Sequence, residues 1–185
     1  MTRQTHIEGV VETNTIHLAD ERGALDKFFH SQLQEICSTV PAWKQVLRST
    51  TKQAGVLRGL QALRAPHTEG KLIVPLNGEM FWVSVDMRVG SETFGCWTSK
   101  TLRPDSGKGL FVARGFFHGC LSMTDDVELL IMADNDHSDA HNIGIRWDDP
   151  DLAIDWPTQG RQPILSAGHA GYPSFANFQS LHDGL

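Results

Sequence analysis

The chain lacks any hydrophobic run long enough to cross a membrane. A membrane-spanning helix needs about 20 consecutive apolar residues, and no segment of the 185-residue sequence approaches that length. The first segment, Met1 to Val10, is polar and has no apolar core of the kind that a secretory signal needs. We therefore expect a cytoplasmic protein that has no membrane partner.

Cysteine is scarce, and its spacing excludes the usual cysteine-based sites. The three cysteines are Cys37, Cys96 and Cys120. They are too few for a disulfide framework and too widely spaced for a zinc ribbon. A reduced environment is the simplest interpretation.

Positive charge is also in deficit. The chain has 22 acidic and 16 basic side chains, which gives a formal charge of −6, and the two signs are interspersed. A nucleic-acid-binding domain presents a basic face, so we expect no nucleic-acid partner. Anionic small ligands are not excluded, because a few well-placed arginines can bind phosphate in an acidic protein.

The sequence does contain many short segments rich in β-formers, separated by turn residues. Alternation of side-chain character along residues 81–88 is typical of a strand with two different faces. Such a series predicts an all-β sandwich or barrel, and the pattern does not decide between them. The predicted strands are 9–17, 43–50, 56–64, 71–77, 79–87, 93–102, 109–112, 119–124 and 127–133.

Turn and helix signals complete this outline. The Asn77-Gly78 pair predicts a hairpin, because both residues tolerate positive φ. Short helices are expected at 26–36 and near the C-terminus. No internal repeat or linker divides the chain, so we expect a single domain over 1–185.

Six sequence blocks follow one another between residues 20 and 166. They are 20–23 (DERG), 55–60 (GVLRGL), 69–72 (EGKL), 85–95 (VDMRVGSETFG), 115–119 (GFFHG) and 144–157 (GIRWDDPDLAIDWP) with 164–166 (ILS). In order and spacing, these blocks resemble the dTDP-4-dehydrorhamnose 3,5-epimerase family. No gap is needed between His118 and Trp147, and six blocks in register make the resemblance specific.

The resemblance implies an architecture and a ligand. The fold would be an all-β double-stranded β-helix, a cupin-like jelly roll with short peripheral helices. The family is homodimeric, with an N-terminal strand (here within 1–20) exchanged between subunits, and residues 158–185 would form a C-terminal extension. A pocket inside the jelly roll would bind a nucleotide-linked 4-keto-6-deoxyhexose, without a metal or an organic cofactor.

The family reaction exchanges a proton beside a ketone. The proton at C5, and then that at C3, is removed and returned on the other face of the sugar. A ketone acidifies its neighbouring carbons, so the chemistry needs a base, a cation for the enolate and an acid.

The chain departs from the family at the residues of the chemistry. Gln61 stands where the resemblance implies the histidine base, and an amide cannot accept a proton at neutral pH. His169 replaces the aspartate that orients this base, and Ile131 replaces the tyrosine proposed as the acid. The chain differs from the family at four further positions. Met132 follows Ile131, and Lys27, Asp136 and His137 replace residues that the resemblance places near the nucleotide and sugar.

Four charged or polar positions match the family. Arg22 and Arg58 match arginines implicated in phosphate binding, Lys71 matches the lysine that stabilises the enolate, and His118 matches a pocket histidine. A plainer interpretation remains for each residue. The arginines would form local ion pairs, Lys71 would be an ordinary exposed strand lysine, and His118 would brace its turn.

Joint replacement at positions 61 and 169 suggests that the base has moved. In the family fold these positions face each other, so His169 could supply the imidazole while Gln61 orients it. Two plainer interpretations compete: Gln61 is hydrogen-bonded to a core neighbour, and His169 is a solvated histidine in a Gly/Ala-rich tail. The predicted catalytic residues are His169, Lys71 and His118, and the predicted substrate-binding residues are Arg22, Arg58, Gln61, Asp136 and His137.

Metal binding is not expected from the other histidines. The spacing of His67, His137 and His141 does not match the two-histidine strand pattern of metal-binding cupins, so we interpret them as solvated loop residues.

Three functions fit these observations. The first is an epimerase or isomerase that acts on a nucleotide-linked keto sugar with a rebuilt acid/base set. The second is a catalytically silent sugar-nucleotide-binding homologue. The third is a different reaction in the same pocket, such as that of a dehydratase or a cyclase. The retained Lys71 favours the first, and the lost groups favour the second.

Overall fold

The structure is a computed structural model that describes residues 5–182 and 185. Its helices are α1 (Ser31–Ile36), α2 (Ala167–Ala170) and α3 (Phe175–His182). Its strands are β1 (Val10–Asn14), β2 (Ile16–Asp20), β3 (Gly23–Lys27), β4 (Gln45–Thr51), β5 (Leu57–Leu63), β6 (Lys71–Asn77), β7 (Met80–Asp86), β8 (Trp97–Leu102), β9 (Lys108–Val112), β10 (Phe116–Ser122), β11 (Val127–Ala133) and β12 (Asn142–Gly144).

Two five-stranded antiparallel sheets face each other. Sheet A has the order β12-β5-β10-β7-β8, and sheet B has the order β1-β9-β6-β11-β4. The chain crosses repeatedly between them: β6 and β9 lie in sheet B, whereas β7 and β10, which follow them, lie in sheet A. This winding is that of a jelly roll, so the predicted all-β, cupin-like fold is confirmed.

The Asn77-Gly78 pair does not form the predicted hairpin. Gly78 has the expected positive φ of 69°, but β6 pairs with β9 and β11, whereas β7 pairs with β8 and β10. The turn therefore carries the chain from sheet B to sheet A. Asn77 Nδ2 donates to the Asp126 carbonyl at 2.6 Å, which ties this corner to the crossover between β10 and β11.

The N-terminal part differs from the prediction in a second way. The predicted strand 9–17 divides into β1 and β2, and residues 26 and 27, which were expected to begin a helix, end β3 instead. The helix prediction for 26–36 is thus wrong in its first half, because residues 23–27 pair with residues 16–20 in a hairpin. Helix α1 begins at Ser31, and α3 confirms the predicted C-terminal helix.

The space between the sheets is filled largely by apolar side chains. Ile73 and Leu110 of sheet B pack with Trp82, Phe116 and Cys120 of sheet A. All five are buried. Full burial of a side chain of this size contributes about 1.5–3 kcal/mol relative to exposure, so this layer holds the two sheets together.

The outer face of sheet A is covered by the C-terminal part of the chain. Phe175 and Phe178 of α3 and the ring of Trp156 pack on this face. Asp149 anchors the covering segment, since its Oδ1 accepts the Leu152 N–H at 3.3 Å and its Oδ2 accepts the Phe175 N–H at 2.9 Å. This packing positions α2 at the edge of sheet A.

The outer face of sheet B is covered by α1. Leu33 and Cys37 of the helix are buried against Leu72 and Phe111. Cys37, like the other two cysteines, is free.

The hairpin of β2 and β3 pairs only with itself. Nearly all of its residues are exposed, including the apolar Leu18 and Leu25. The neighbouring β1 pairs with β9 of the same chain. Exchange of an N-terminal strand between subunits stays a prediction. No helix in the described part of the chain is long and apolar enough to span a membrane.

Candidate active site

A polar contact joins the two sheets within the barrel. Lys71, the first residue of β6, places Nζ 3.2 Å from Nε2 of His118 on β10. The same Nζ forms an ion pair with Oε1 of Glu69 at 2.7 Å. The side chains of Lys71 and Glu69 are only 15% and 10% exposed, so the pair is largely withdrawn from solvent. Lys71 is therefore not an ordinary exposed strand lysine.

His118 is held as a neutral imidazole. A lysine ammonium can only donate hydrogen bonds, so its contact requires the lone pair of His118 on Nε2 and the ring proton on Nδ1. Burial lowers the pKa of His118 well below its usual value, and the positive charge of Lys71 lowers this pKa further. The ring also stacks on Trp82, with centroids 5.3 Å apart and planes 8° apart.

Gln61 faces the same interior as His118. The two residues are directly opposite in the β5–β10 ladder, and opposite residues point to the same side of a sheet. His169 Nε2 donates to Gln61 Oε1 at 2.9 Å, and the Tyr172 hydroxyl donates to the same oxygen at 3.4 Å. The structure thus brings positions 61 and 169 together, as the sequence predicted, while their chemical roles stay predictions.

The segment that carries His169 is docked on the barrel. Val56 forms a parallel bridge with Ile164, and the Leu57 N–H donates to the Ile164 carbonyl at 3.0 Å. Ser166 then caps α2, with its Oγ accepting the His169 N–H at 3.2 Å. A Gly/Ala-rich composition pointed to a solvated tail, but tertiary contacts override it.

The environment of His169 favours its neutral form. Burial lowers the pKa of His169 below its usual value, and the positive charge of Arg58 acts in the same direction. The nearby Leu57 backbone raises this pKa but does not reverse the direction. Because Nε2 donates to Gln61, the lone pair of the neutral ring lies on Nδ1, which is buried and forms no hydrogen bond with the described residues.

The two predicted phosphate-binding arginines lie in different places. Arg58 bridges the edges of the two sheets, with Nη2 donating to the Thr50 carbonyl at 3.2 Å and to Thr51 Oγ1 at 3.4 Å. Arg22 is at the turn of the β2–β3 hairpin, where it pairs with Asp20 and is 82% exposed. Arg58 thus lies on β5, the strand that carries Gln61, whereas Arg22 lies on a hairpin outside the two five-stranded sheets.

The position expected for the general acid is apolar. Ile131 lies opposite Ile73 in the β6–β11 ladder and packs on the interior cluster, so it offers no proton. Met132, which replaces the family lysine, faces the other side and packs in the layer beneath α1.

Asp136 and His137 lie in the turn after β11. Their side chains are 71% and 57% exposed. Lys44 Nζ is 3.9 Å from Asp136, and His137 Nε2 is 2.9 Å from Asp139. Their predicted contact with substrate therefore depends on how far a ligand extends beyond the barrel.

Metal-binding geometry is missing from the described residues. No group of three or more His, Cys, Asp or Glu side chains in residues 5–182 could hold a metal ion. His67 and His141 stack with centroids 4.4 Å apart. The Nδ1 atom of each ring forms a hydrogen bond, that of His67 with the Asp136 carbonyl and that of His141 with Ser138.

Three residues of the site were not found from the sequence. Glu69 lies in one of the six blocks, and its spacing from Lys71 was the available signal, because alternate residues of an extended chain share a face. Tyr172 is the only tyrosine, but no local pattern indicates that it approaches Gln61. The stacking of Trp82 on His118 depends on strand register, which only the folded sheet provides.

The match to a known family is broad. Residues 4–177 match the family model described as dTDP-4-dehydrorhamnose 3,5-epimerase. The chain belongs to this family. Membership in the dTDP-4-dehydrorhamnose 3,5-epimerase family agrees with the jelly-roll topology.

Named relatives show how far the similarity extends. The chain is 36% identical over 126 residues to the dTDP-4-dehydrorhamnose 3,5-epimerase of Sinorhizobium fredii, covering 68% of this chain and 64% of that protein. It is 33% identical to that of Shigella flexneri, covering 88% and 89%. A crystal structure of dTDP-6-deoxy-D-glucose-3,5-epimerase from Legionella pneumophila, in complex with dTDP-4-keto-L-rhamnose, matches with a TM-score of 0.84 at 31% identity, covering 92% and 90%.

Proposed function

We propose that this member of the dTDP-4-dehydrorhamnose 3,5-epimerase family is an epimerase that acts on a nucleotide-linked 4-keto-6-deoxy sugar with an altered acid/base set. The observation that carries the proposal is the Lys71–His118 contact, which fixes a cation between the two sheets. The relatives, named as epimerases and in one case bound to dTDP-4-keto-L-rhamnose, support the substrate class.

Lys71 is proposed to stabilise the enolate. Removal of a proton beside a ketone moves negative charge onto the ketone oxygen, and a pre-positioned cation lowers the free energy of that state. The effect is larger in a site withdrawn from water, because the local dielectric is lower. The 15% exposure of Lys71 meets this condition.

His169 is proposed to be the base. Its pKa is lowered, so it is neutral at pH 7, and it lies against Gln61, which occupies the position of the family histidine. The bound sugar would displace the Gln61 amide from Nε2. The ring would then carry its proton on Nδ1, where the Leu57 backbone favours the protonated form.

Arg58 and the hairpin are proposed to bind the nucleotide. Arg58 lies at the joined edges of the sheets, where its guanidinium can pair with a diphosphate. Arg22 would act in a cytoplasmic homodimer, entering the partner's site from the β2–β3 hairpin. The exposed Leu18 and Leu25 on this hairpin support such a role, since apolar side chains on an isolated hairpin gain by burial against a second subunit.

One observation favours a catalytically silent binding protein as the second candidate. Ile131 stands where the resemblance implies the acid that returns the proton, and this side chain packs on the apolar interior cluster and offers no proton. In that case the same cations would hold the sugar nucleotide without turnover.

Proton NMR in heavy water tests these proposals. The purified protein is mixed with dTDP-4-keto-6-deoxyglucose, and separately with its GDP and CDP counterparts. We expect the C3 or C5 proton signal to disappear, and we expect His169→Ala or Lys71→Ala to abolish the loss. Lys100→Ala, which changes a lysine on β8 that is 45% exposed, is the matched control and should exchange normally.

The other outcomes identify the alternatives. Line broadening of the sugar nucleotide without exchange would identify a silent binding protein. A product of different mass would indicate another reaction class, such as dehydration or cyclisation. Either result would overturn the epimerase proposal.

A further inference from the structure

A buried carboxylate faces the proposed enolate cation. Glu69 Oε1 is 2.7 Å from Lys71 Nζ, and the Glu69 side chain is only 10% exposed. Placing two charges in such an environment costs desolvation free energy, and replacement by apolar residues is often neutral or stabilising. A structural role therefore gives a weak account of this pair, and its place beside His118 suggests a functional one.

The backbone next to Glu69 is held by contacts that do not involve Lys71. The N–H of the next residue, Gly70, donates to Asp134 Oδ1 at 2.8 Å, and the Asp134 N–H donates back to the Gly70 carbonyl at 3.2 Å. Asp134 is itself held by Arg114, whose Nε donates to Oδ2 at 2.9 Å. The backbone at Gly70 is thus held in place, so the Glu69 side chain that contacts Lys71 extends from a fixed part of the chain.

The contact with Lys71 determines which tautomer His118 adopts. The Lys71 ammonium only donates, so a lysine held 3.2 Å from His118 Nε2 keeps a lone pair on that nitrogen and the proton on Nδ1. Without an anchor, the four-carbon lysine chain could turn away, and His118 could adopt either tautomer. The carboxylate, the ammonium and the imidazole therefore form a chain in which each member constrains the next.

We propose that Glu69 is a positioning residue, whose carboxylate holds the Lys71 ammonium against His118 and so fixes both the cation that meets the enolate and the tautomer of the imidazole. The catalytic part of this inference rests on the proposed epimerase function. The part that concerns the His118 tautomer does not.

Nitrogen-15 NMR of the imidazoles tests the tautomer directly. We expect native His118 to carry its proton on Nδ1, Glu69→Ala to give a mixture of tautomers, and Glu69→Gln to be intermediate, because an amide oxygen still accepts from Lys71. Lys71→Met serves as the positive control, since it removes the donor. A native His118 protonated on Nε2, or a tautomer unchanged in Glu69→Ala but changed in Lys71→Met, would overturn the proposal.

Kinetics test the catalytic part. Misplacement of a reacting group by about 1 Å costs about 100-fold in rate, so we expect kcat of Glu69→Ala to fall by about that factor with KM nearly unchanged. Glu128→Ala is the matched control, because it removes a carboxylate that contacts Arg48 at 2.6 Å elsewhere on the barrel. Equal kcat in Glu69→Ala and the native protein would overturn the catalytic role.

The two readouts separate the possible failures. If the native protein has no turnover, the epimerase proposal fails, and the imidazole spectra still test whether Glu69 positions Lys71. If Glu69→Ala does not fold, the native spectrum and the isosteric Glu69→Gln variant decide the question.

Discussion

At the scale of single residues, the site depends on which side chains can accept a proton. The Lys71 ammonium can only donate hydrogen bonds, and the Gln61 amide is not a base at neutral pH. Ile131 can neither donate nor accept a proton. His118 and His169 are both held neutral by burial. Lys71 occupies the lone pair on Nε2 of His118, whereas in the proposed mechanism the bound sugar frees Nε2 of His169 to accept a proton.

The coupling between positions 61 and 169 can be tested by moving the histidine from position 169 to position 61. His169→Asp alone leaves no imidazole in the pair, so we expect turnover to fall by about 100-fold or more. The double change Gln61→His with His169→Asp restores the histidine–aspartate pair that the family resemblance implies, and most of the turnover should return. Solvent-deuterium exchange measures both, and an active His169→Asp single variant would contradict the proposed base.

The lowered histidine pKa values predict how stability depends on pH. In the unfolded chain His118 and His169 take up protons as the pH falls through about 6.5, whereas in the folded protein they remain neutral to lower pH. The unfolded state then binds more protons, so the free energy of unfolding should decrease as the pH falls below about 6.5. Each such proton contributes at most about 1.4 kcal/mol per pH unit.

Urea unfolding at about pH 7.5 and about pH 5.5 measures this dependence. His118→Gln removes one of the two groups and keeps an acceptor for Lys71, so the loss of stability between the two conditions should be smaller than in the native protein. An equal loss in both proteins would show that His118 does not contribute.

At the scale of the elements, the site depends on the close approach of β5 and β10. Gly59 has φ of +96°, and a Cβ there would clash with the His118 carbonyl oxygen. The absence of a side chain therefore lets β5 lie where Gln61 and His118 are neighbours. Docking of α2 on this strand adds His169 to the pair.

Gly59→Ala should be strongly destabilising. The added methyl group clashes with backbone and the residue is strained, so we expect a loss of about 3 kcal/mol or more. Gly90→Ala is the control, since Gly90 also has positive φ (78°) but open space around it, and should cost only about 1–2 kcal/mol. Chemical denaturation measures the loss of stability in both variants. Equal losses would show that the close approach of β5 and β10 is not the reason that position 59 requires glycine.

At the scale of the whole molecule, the β2–β3 hairpin forms no strand pairing with the two five-stranded sheets of the described residues. It carries Arg22 at its turn and leaves Leu18 and Leu25 49% and 59% exposed. In the proposed homodimer these apolar side chains are buried and Arg22 reaches the partner's nucleotide.

Leu25→Glu should therefore weaken the dimer. A buried unpaired carboxylate is costly, so the variant should sediment as a monomer at concentrations where the native protein is a dimer. Val89→Glu, at another exposed apolar residue (71%), should leave the association unchanged. A monomeric native protein, or a Leu25→Glu dimer, would contradict the proposed assembly.

The sequence alone determined the strands whose patterns are local. Segments 71–77 and 127–133 are β6 and β11 as predicted, because runs of β-forming residues between turn residues are properties of short stretches. The six blocks determined the family and the jelly roll. They also predicted that position 169 faces position 61, and α2 brings the two side chains together.

Tertiary structure decided the rest, because those features depend on partners distant in the chain. The Asn77-Gly78 turn could be located from its residues, but which strands pair on either side of it is a property of the folded sheets. The Glu69 contact with Lys71, the stacking of Trp82 and the approach of Tyr172 are contacts of side chains, and sequence spacing does not specify them. Docking of the Gly/Ala-rich segment around His169 likewise comes from the bridge between Val56 and Ile164, which outweighs the local preference for a solvated tail.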